Sequence, residues 1–288
     1  MAQVSEPPDA ASAPVNPSLE RYDGALRLRV AEGRIDGYRQ TPPMRLFRPH
    51  PEPGEPRSVV VGNVAGGVVG GDRLGVQIEV AENQDLLATT QAAEKIYRSD
   101  GATATMGVDL SVADGGTLEW LSAGTILFDG ARLDRTTTLD VAAAGRLLYC
   151  ETLVLGRLAR GEVFASGALR DRIRLRRGGR LAWADDLGLA GDGFAALDAA
   201  AGFAGGRSYS TILFAAPQAA TALETVRPLL EAEPAVRAGV TALAPDLLVV
   251  RILAGDPAQA RKLVAATWMG LRSGCLGRPA QMPTIWAI

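Results

Sequence analysis

Eight carboxylates stand where they could do chemistry: Asp72, Glu94, Glu119, Asp129, Glu151, Glu162, Asp185 and Asp186. Two of them at the right separation could hydrolyse a glycoside, one as acid and the other as base or nucleophile. No motif fixes such a pair, and an aromatic content of 5% is poor for stacking on sugars. Asp185 and Asp186 would point to opposite faces of a strand. Surface or turn-capping roles are the common alternative for each acid. Nucleophilic catalysis has less to work with. The single histidine, His50, lies between Pro49 and Pro51 in an exposed, extended loop, and no Ser or Cys has a recognisable His partner. Cys150 follows Leu147, Leu148 and Tyr149 and reads as a core thiol. With one His and two Cys, far apart in sequence, the chain lacks the donors of a tight transition-metal site. Two cysteines also cannot staple a secreted scaffold of this length.

Two further segments concentrate unusual residues. Residues 63–74 read NVAGGVVGGDRL. Gly66 and Gly71 have the outer spacing of a phosphate-binding P-loop, but Asp72 holds the lysine position and would repel a phosphate. The dinucleotide fingerprint fits in no frame, so a packed turn between strands is the better reading. Residues 89–98, TTQAAEKIYR, crowd polar groups without clean alternation. They suit a solvated loop, a partner contact or a buried polar network.

The elements that must position these residues are short strands. Val76, Ile78 and Val80 alternate with Gln77 and Glu79. Met106, Val108, Leu110 and Val112 alternate with Gly107, Asp109 and Ser111. That period of two marks half-buried strands. Glycines fall at roughly even intervals between the runs, and Gly178-Gly179 should turn a hairpin over Asp171 to Ala184. Past Asp186 the texture changes. Tyr209 to Ala215 and Leu247 to Leu253 read as strands. Pro217 to Ala232 has helical spacing that Pro228 should kink or end. Asp256-Pro257 starts a second helix that Gly274 can end. The 288 residues, of which 47% are hydrophobic and 22% charged, suit one large folded body. A net charge of −2 argues against nucleic-acid binding. Residues 1–18, with four prolines, read as a disordered leader, and residues 19–288 as a single β-rich domain. No signal peptide or membrane-spanning run is present, which points to the cytoplasm.

An ordered set of segments resembles one family. To residues 63–74 and 89–98 are added Leu118 to Leu121 (LEWL), Thr125 to Ala131 (TILFDGA), Glu151, Leu155 to Glu162 (LGRLARGE), Gly277 to Pro279 and Pro283 to Trp286. Together they are similar to the UreD, or UreH, urease accessory proteins over nearly the whole folded region. Ser122-Ala123-Gly124 departs from the proline and the acidic or polar pair usual in the family before Thr125.

The resemblance implies a mainly β fold, an elongated two-layered β-helix-like body with a few helices toward the C-terminus. It implies a non-catalytic urease maturation factor that docks on apo-urease with the F-type accessory protein and the G-type GTPase. Nickel would pass through it to the urease active site, with no tightly bound cofactor. Transit favours weak ligands, so the candidates for lining the passage are Asp72, Glu94, Glu151 and Glu162. Each could instead bond to backbone or pair with an Arg. The alternative function is a β-helical carbohydrate-active enzyme using paired carboxylates, Glu151 or Glu162 among them.

Overall fold

The computed structural model describes residues 21–287, so the leader read at 1–18 lies outside the described residues. In chain order the strands are β1 Asp23–Ala31, β2 Arg34–Gln40, β3 Met44–Phe47, β4 Ser58–Asn63, β5 Arg73–Val80 and β6 Asp85–Thr90. Next come β7 Glu94–Ile96, β8 Ala104–Val112, β9 Thr117–Leu121, β10 Thr125–Leu127, β11 Arg132–Val141 and β12 Arg146–Leu155. β13 Ala168–Arg177, β14 Arg180–Ala190, β15 Ser208–Ala215, β16 Arg237–Ala244 and β17 Leu247–Ala254 complete the set. Two α-helices, α1 Leu223–Glu231 and α2 Pro257–Cys275, lie toward the C-terminus.

From β4 to β13 the main strands alternate between two sheets. The first sheet runs β14-β13-β11-β8-β5-β1-β2, and the second runs β16-β17-β15-β12-β9-β6-β4-β3. β5, β8, β11 and β13 are parallel neighbours, as are β4, β6, β9 and β12. The result is a β-solenoid of about four turns. It is the mainly β body of short strands that the periodicity implies, in the two layers that the family resemblance implies.

The alternation seen in sequence fills the space between the sheets. Ile78, Leu110, Leu139 and Leu175 stand in one register row across four parallel strands, and all four are buried. Stacking like residues rung upon rung keeps that row dry and close-packed. The next row reads Val80, Val112, Val141 and then Arg177. There the last turn ends, and the guanidinium caps it by donating to the carbonyls of Ala142, Ala143 and Gly145. A second apolar cluster lies on the other face of the second sheet, under α1 and α2. It takes in Leu148, Cys150, Phe214, Val250, Leu263 and Trp268.

The hairpin at Gly178-Gly179 forms as expected, with both glycines at positive φ (54° and 77°) between β13 and β14. Asp256 caps α2 by accepting from Ala258 N at 2.9 Å. Two expected helix ends are corrected. Pro228 lies inside α1, which continues to Glu231; proline removes only its own N–H, and the following residues keep theirs. Gly274 does not end α2, which runs to Cys275. Gly277, at φ 62°, takes the left-handed position past the end. Gly274 and Gly270 instead face α1, where a Cβ on Gly270 would fall 2.8 Å from Leu229.

Candidate functional site: a cavity between the sheets

The second sheet is interrupted twice. β6 ends at Thr90 and resumes as β7 at Glu94; β9 ends at Leu121 and resumes as β10 at Thr125. β12 crosses both halves without a break, pairing β9 through Arg146–Cys150 and β10 through Leu153–Leu155. Glu94 N bonds to Gly124 O at 2.8 Å, which ties the two interruptions together. Gln91, Ala93, Ser122 and Gly124, from these breaks, line a cavity of about 220 Å³. The crowded polar segment at 89–98 thus forms part of a cavity wall. Ser122 and Gly124, from the second break, line it as well.

The cavity lies between the sheets and is lined on its apolar side by Val76, Met106, Val108 and Trp120. Its charged residues are Glu94, Lys95, Glu151 and Arg135. Glu94 accepts from Asn63 Nδ2 at 3.1 Å and from its neighbour's amide, Lys95 N, at 3.3 Å. Burial pushes its carboxyl above the usual glutamate range despite these bonds. Glu151 shares the inward face of β12 with Leu147 and Tyr149. It lies 2.9 Å from Arg135 Nη1 as an ion pair and accepts from Thr125 Oγ1 at 3.3 Å. Burial opposes charge on Arg135, but Asp171 and Glu151 outweigh it and hold the guanidinium firmly protonated. The Trp120 indole N–H is buried and has no hydrogen-bond partner.

Of the four carboxylates singled out in sequence, the fold therefore brings Glu94 and Glu151 to one cavity. Asp72 does not line it. Its buried carboxylate accepts from Tyr22 N and Val69 N, each at 2.9 Å, and closes the glycine-rich turn. Glu162 also lies elsewhere, bonded to Arg157 and accepting from Asp129 N. Arg157 holds its carboxyl below the usual range. Glu151 and Glu162 are thus not placed as an acid–base pair over one site.

Residues 63–74 are the packed turn that their glycines suggest. A Cβ on Gly67 would fall 2.3 Å from the Tyr97 ring, and one on Gly70 would fall 2.3 Å from Ser99 Oγ. Three of the turn's amides are already used: Ala65 N bonds to Asn63 Oδ1, Val68 N to Lys95 O and Val69 N to Asp72. Asp185 and Asp186 do face opposite ways. Asp185 meets Arg251 at 2.9 Å, while Asp186 lies 3.6 and 3.7 Å from Arg174 and Arg170.

Arg135 and Asp171 were missed in sequence. Arg135 stands in register with Met106 and Leu74, an inward row, and Asp171 follows it in the same row. A charged residue at an apolar position of the period was the available signal. Glu119 is also explained: it is an anchor for Arg272 of α2, remote in sequence but bonded at 2.5 Å.

A short-turned solenoid with four charged residues among the walls of a cavity between its sheets is a scaffold with a compartment. Among the described residues no group of three or more His, Cys, Asp or Glu side chains could hold a metal. No helix is long and apolar enough to cross a membrane. A model of the family described as UreD urease accessory protein matches residues 22–287. The urease accessory protein UreD of Magnetococcus marinus is 42% identical over 283 residues, covering 95% of this chain and 96% of its own length. That of Methylobacterium sp. (strain 4-46) is 40% identical, covering 94% and 96%. That of Paracoccus denitrificans is 36% identical and covers 99% of both chains. The chain belongs to the UreD urease accessory protein family. Its role is in urease maturation, as a non-enzymatic factor.

Proposed function

We propose that this chain delivers nickel to urease by holding open a wet passage between its sheets. It docks on apo-urease in the cytoplasm, together with the F-type accessory protein and the G-type GTPase. The observation that carries the reading is the cavity itself, with Glu94 and Glu151 both lining it. Two carboxylates and water are hard oxygen donors, and nickel binds them more weakly than imidazole or thiolate. Neither Cys150 nor His50 lines the cavity. An ion can therefore enter, be steadied by negative charge and leave. In this reading Asp72 and Glu162 shape the walls from outside the cavity, through the backbone bonds they accept.

The test is to fill the cavity. Val108 is buried and lines it. Val108→Trp should leave urease present and the accessory complex intact, with urease nickel content falling toward that of a strain lacking this chain. Normal nickel content with a stable Val108→Trp protein rejects the passage.

A further inference from the structure

The inner end of the cavity carries a charge arrangement that a simple passage does not need. Arg135 is only 2% exposed and meets two carboxylates unequally. Asp171 receives a matched fork, Nε to Oδ1 and Nη2 to Oδ2, both 2.8 Å. Glu151 has only an ion-pair contact, 2.9 Å from Nη1, because that nitrogen donates its hydrogen bond to Thr125 Oγ1 at 2.9 Å. The forked pair is the stronger. Glu151 and Arg135 line the cavity, and Asp171 does not. The firmly held acid thus stands behind the guanidinium, and the loosely held one faces the compartment.

We propose that Arg135 gates the passage. It covers Glu151 while the compartment holds only water, and it releases this carboxylate to a divalent cation while Asp171 keeps the guanidinium paired. The inference rests on the passage reading above. Charge balance favours it. With no ion, Arg135 set against the ionised Asp171, Glu151 and Glu94 leaves two net negative charges. With a divalent ion between Glu151 and Glu94, Arg135 and Asp171 cancel each other, and the ion cancels the two glutamates. At neither stage does the interior hold a bare guanidinium, the costliest outcome in a low dielectric. Arg135 also prevents the ion from resting. Without it, Glu151 and Asp171 would be two uncompensated acids able to hold a cation in the interior.

The test uses the full chain and nickel chloride in equilibrium dialysis. Arg135→Met should retain about one nickel ion per chain, at least roughly tenfold more tightly than the parent protein. Adding Glu151→Gln should abolish the gain, which a general loosening of the fold would not do. Asp171→Asn should act in the opposite sense. The guanidinium then has Glu151 as its one carboxylate, so the isolated chain retains no extra nickel. Urease nickel content should fall roughly tenfold while the complex persists. A folded Arg135→Met chain that retains no more nickel than the parent overturns the gate. If Arg135→Met does not fold, Asp171→Asn decides: unchanged urease nickel overturns the gate, and a fall with the complex intact supports it. Failure of the passage is separate, because Val108→Trp would then leave urease nickel normal whatever the Arg135 variants do.

Discussion

Replacing Arg272 should cost more stability than any other single charge removal on the helical side. Arg272 is fully buried on α2 and binds three parts of the chain at once. Its Nε donates to Glu119 on the second sheet at 2.5 Å. Its Nη atoms reach Glu55, and Nη1 also reaches the carbonyls of Pro279 and Gln281 at 3.1 and 2.8 Å. Burial raises the Glu119 carboxyl above its usual range even with the guanidinium beside it, so the acid depends on that partner. Arg272→Met keeps much of the volume and leaves both Glu119 and Glu55 without the guanidinium, Glu119 the more deeply buried of the two. Removing one member of a buried pair costs about 3–5 kcal/mol. At about 2–4 °C per kcal/mol for a domain of this size, the midpoint should fall by roughly 6–20 °C. Thermal denaturation followed by circular dichroism measures it. The double variant Arg272→Met with Glu119→Gln removes the deeper of the two orphaned charges and should recover more than half of the loss. A single variant within about 1 kcal/mol of the parent, or a double variant no more stable than the single, would refute the reasoning.

The remaining predictions concern the cavity, the solenoid and the thiols. Burial raises Glu94, so the folded state takes up its proton at higher pH than the unfolded chain does. The ionised carboxylate then weighs against folding at neutral pH, and the penalty fades as pH falls through the folded value. Glu94→Gln should accordingly stabilise by roughly 1 kcal/mol or less at pH 7, an advantage that vanishes in acid; denaturant melts across pH would show a constant difference if the assignment is wrong. Gly167 sits at φ 109°, and a Cβ there would fall 2.1 Å from Ala131 O of the preceding turn. Gly167→Ala should destabilise by at least about 2 kcal/mol, and a urea midpoint equal to that of the parent would contradict the packing. Cys150 is fully buried, and burial lifts its thiol far above the usual range; Cys275 is half-buried. A disulfide-exchange reagent at pH 8 should label Cys275 first and reach Cys150 only on unfolding, which mass spectrometry of labelled peptides resolves.

The solenoid was readable because its rungs are simple. Val76–Val80 and Met106–Val112 alternate at period two, and the fold stacks these runs as β5 and β8 in register, Ile78 on Leu110. Gly178-Gly179 and Asp256-Pro257 carry local signals that depend on a few neighbouring dihedrals, and both act as read. The site was visible only in part. Glu94 and Glu151 were picked out, but they are 57 positions apart and meet because β7 and β12 both flank β10. Pairing across a sheet leaves no mark at either position. Asp72 and Glu162 looked equivalent to them, yet their partners are a backbone turn and Arg157. Arg272 and Glu119 stand 153 residues apart, and nothing near either names the other.

The interior shows why a solenoid suits this work. Parallel rungs repeat the same inward positions, so one row can be wholly apolar and its neighbour polar without changing the backbone. Ile78, Leu110, Leu139 and Leu175 hold the sheets together. One inward step away stand Val76, Val108, Thr137 and Ile173, and a further step brings Leu74, Met106, Arg135 and Asp171. The row turns charged where the second sheet breaks and the cavity opens. Buried charges are expensive, and they persist here only as mutually bonded groups. The stability of the apolar rows is what permits the charged one. If the passage reading holds, poverty in His and Cys serves the same end: oxygen donors already engaged by a guanidinium yield an ion more readily than a thiolate or imidazole would.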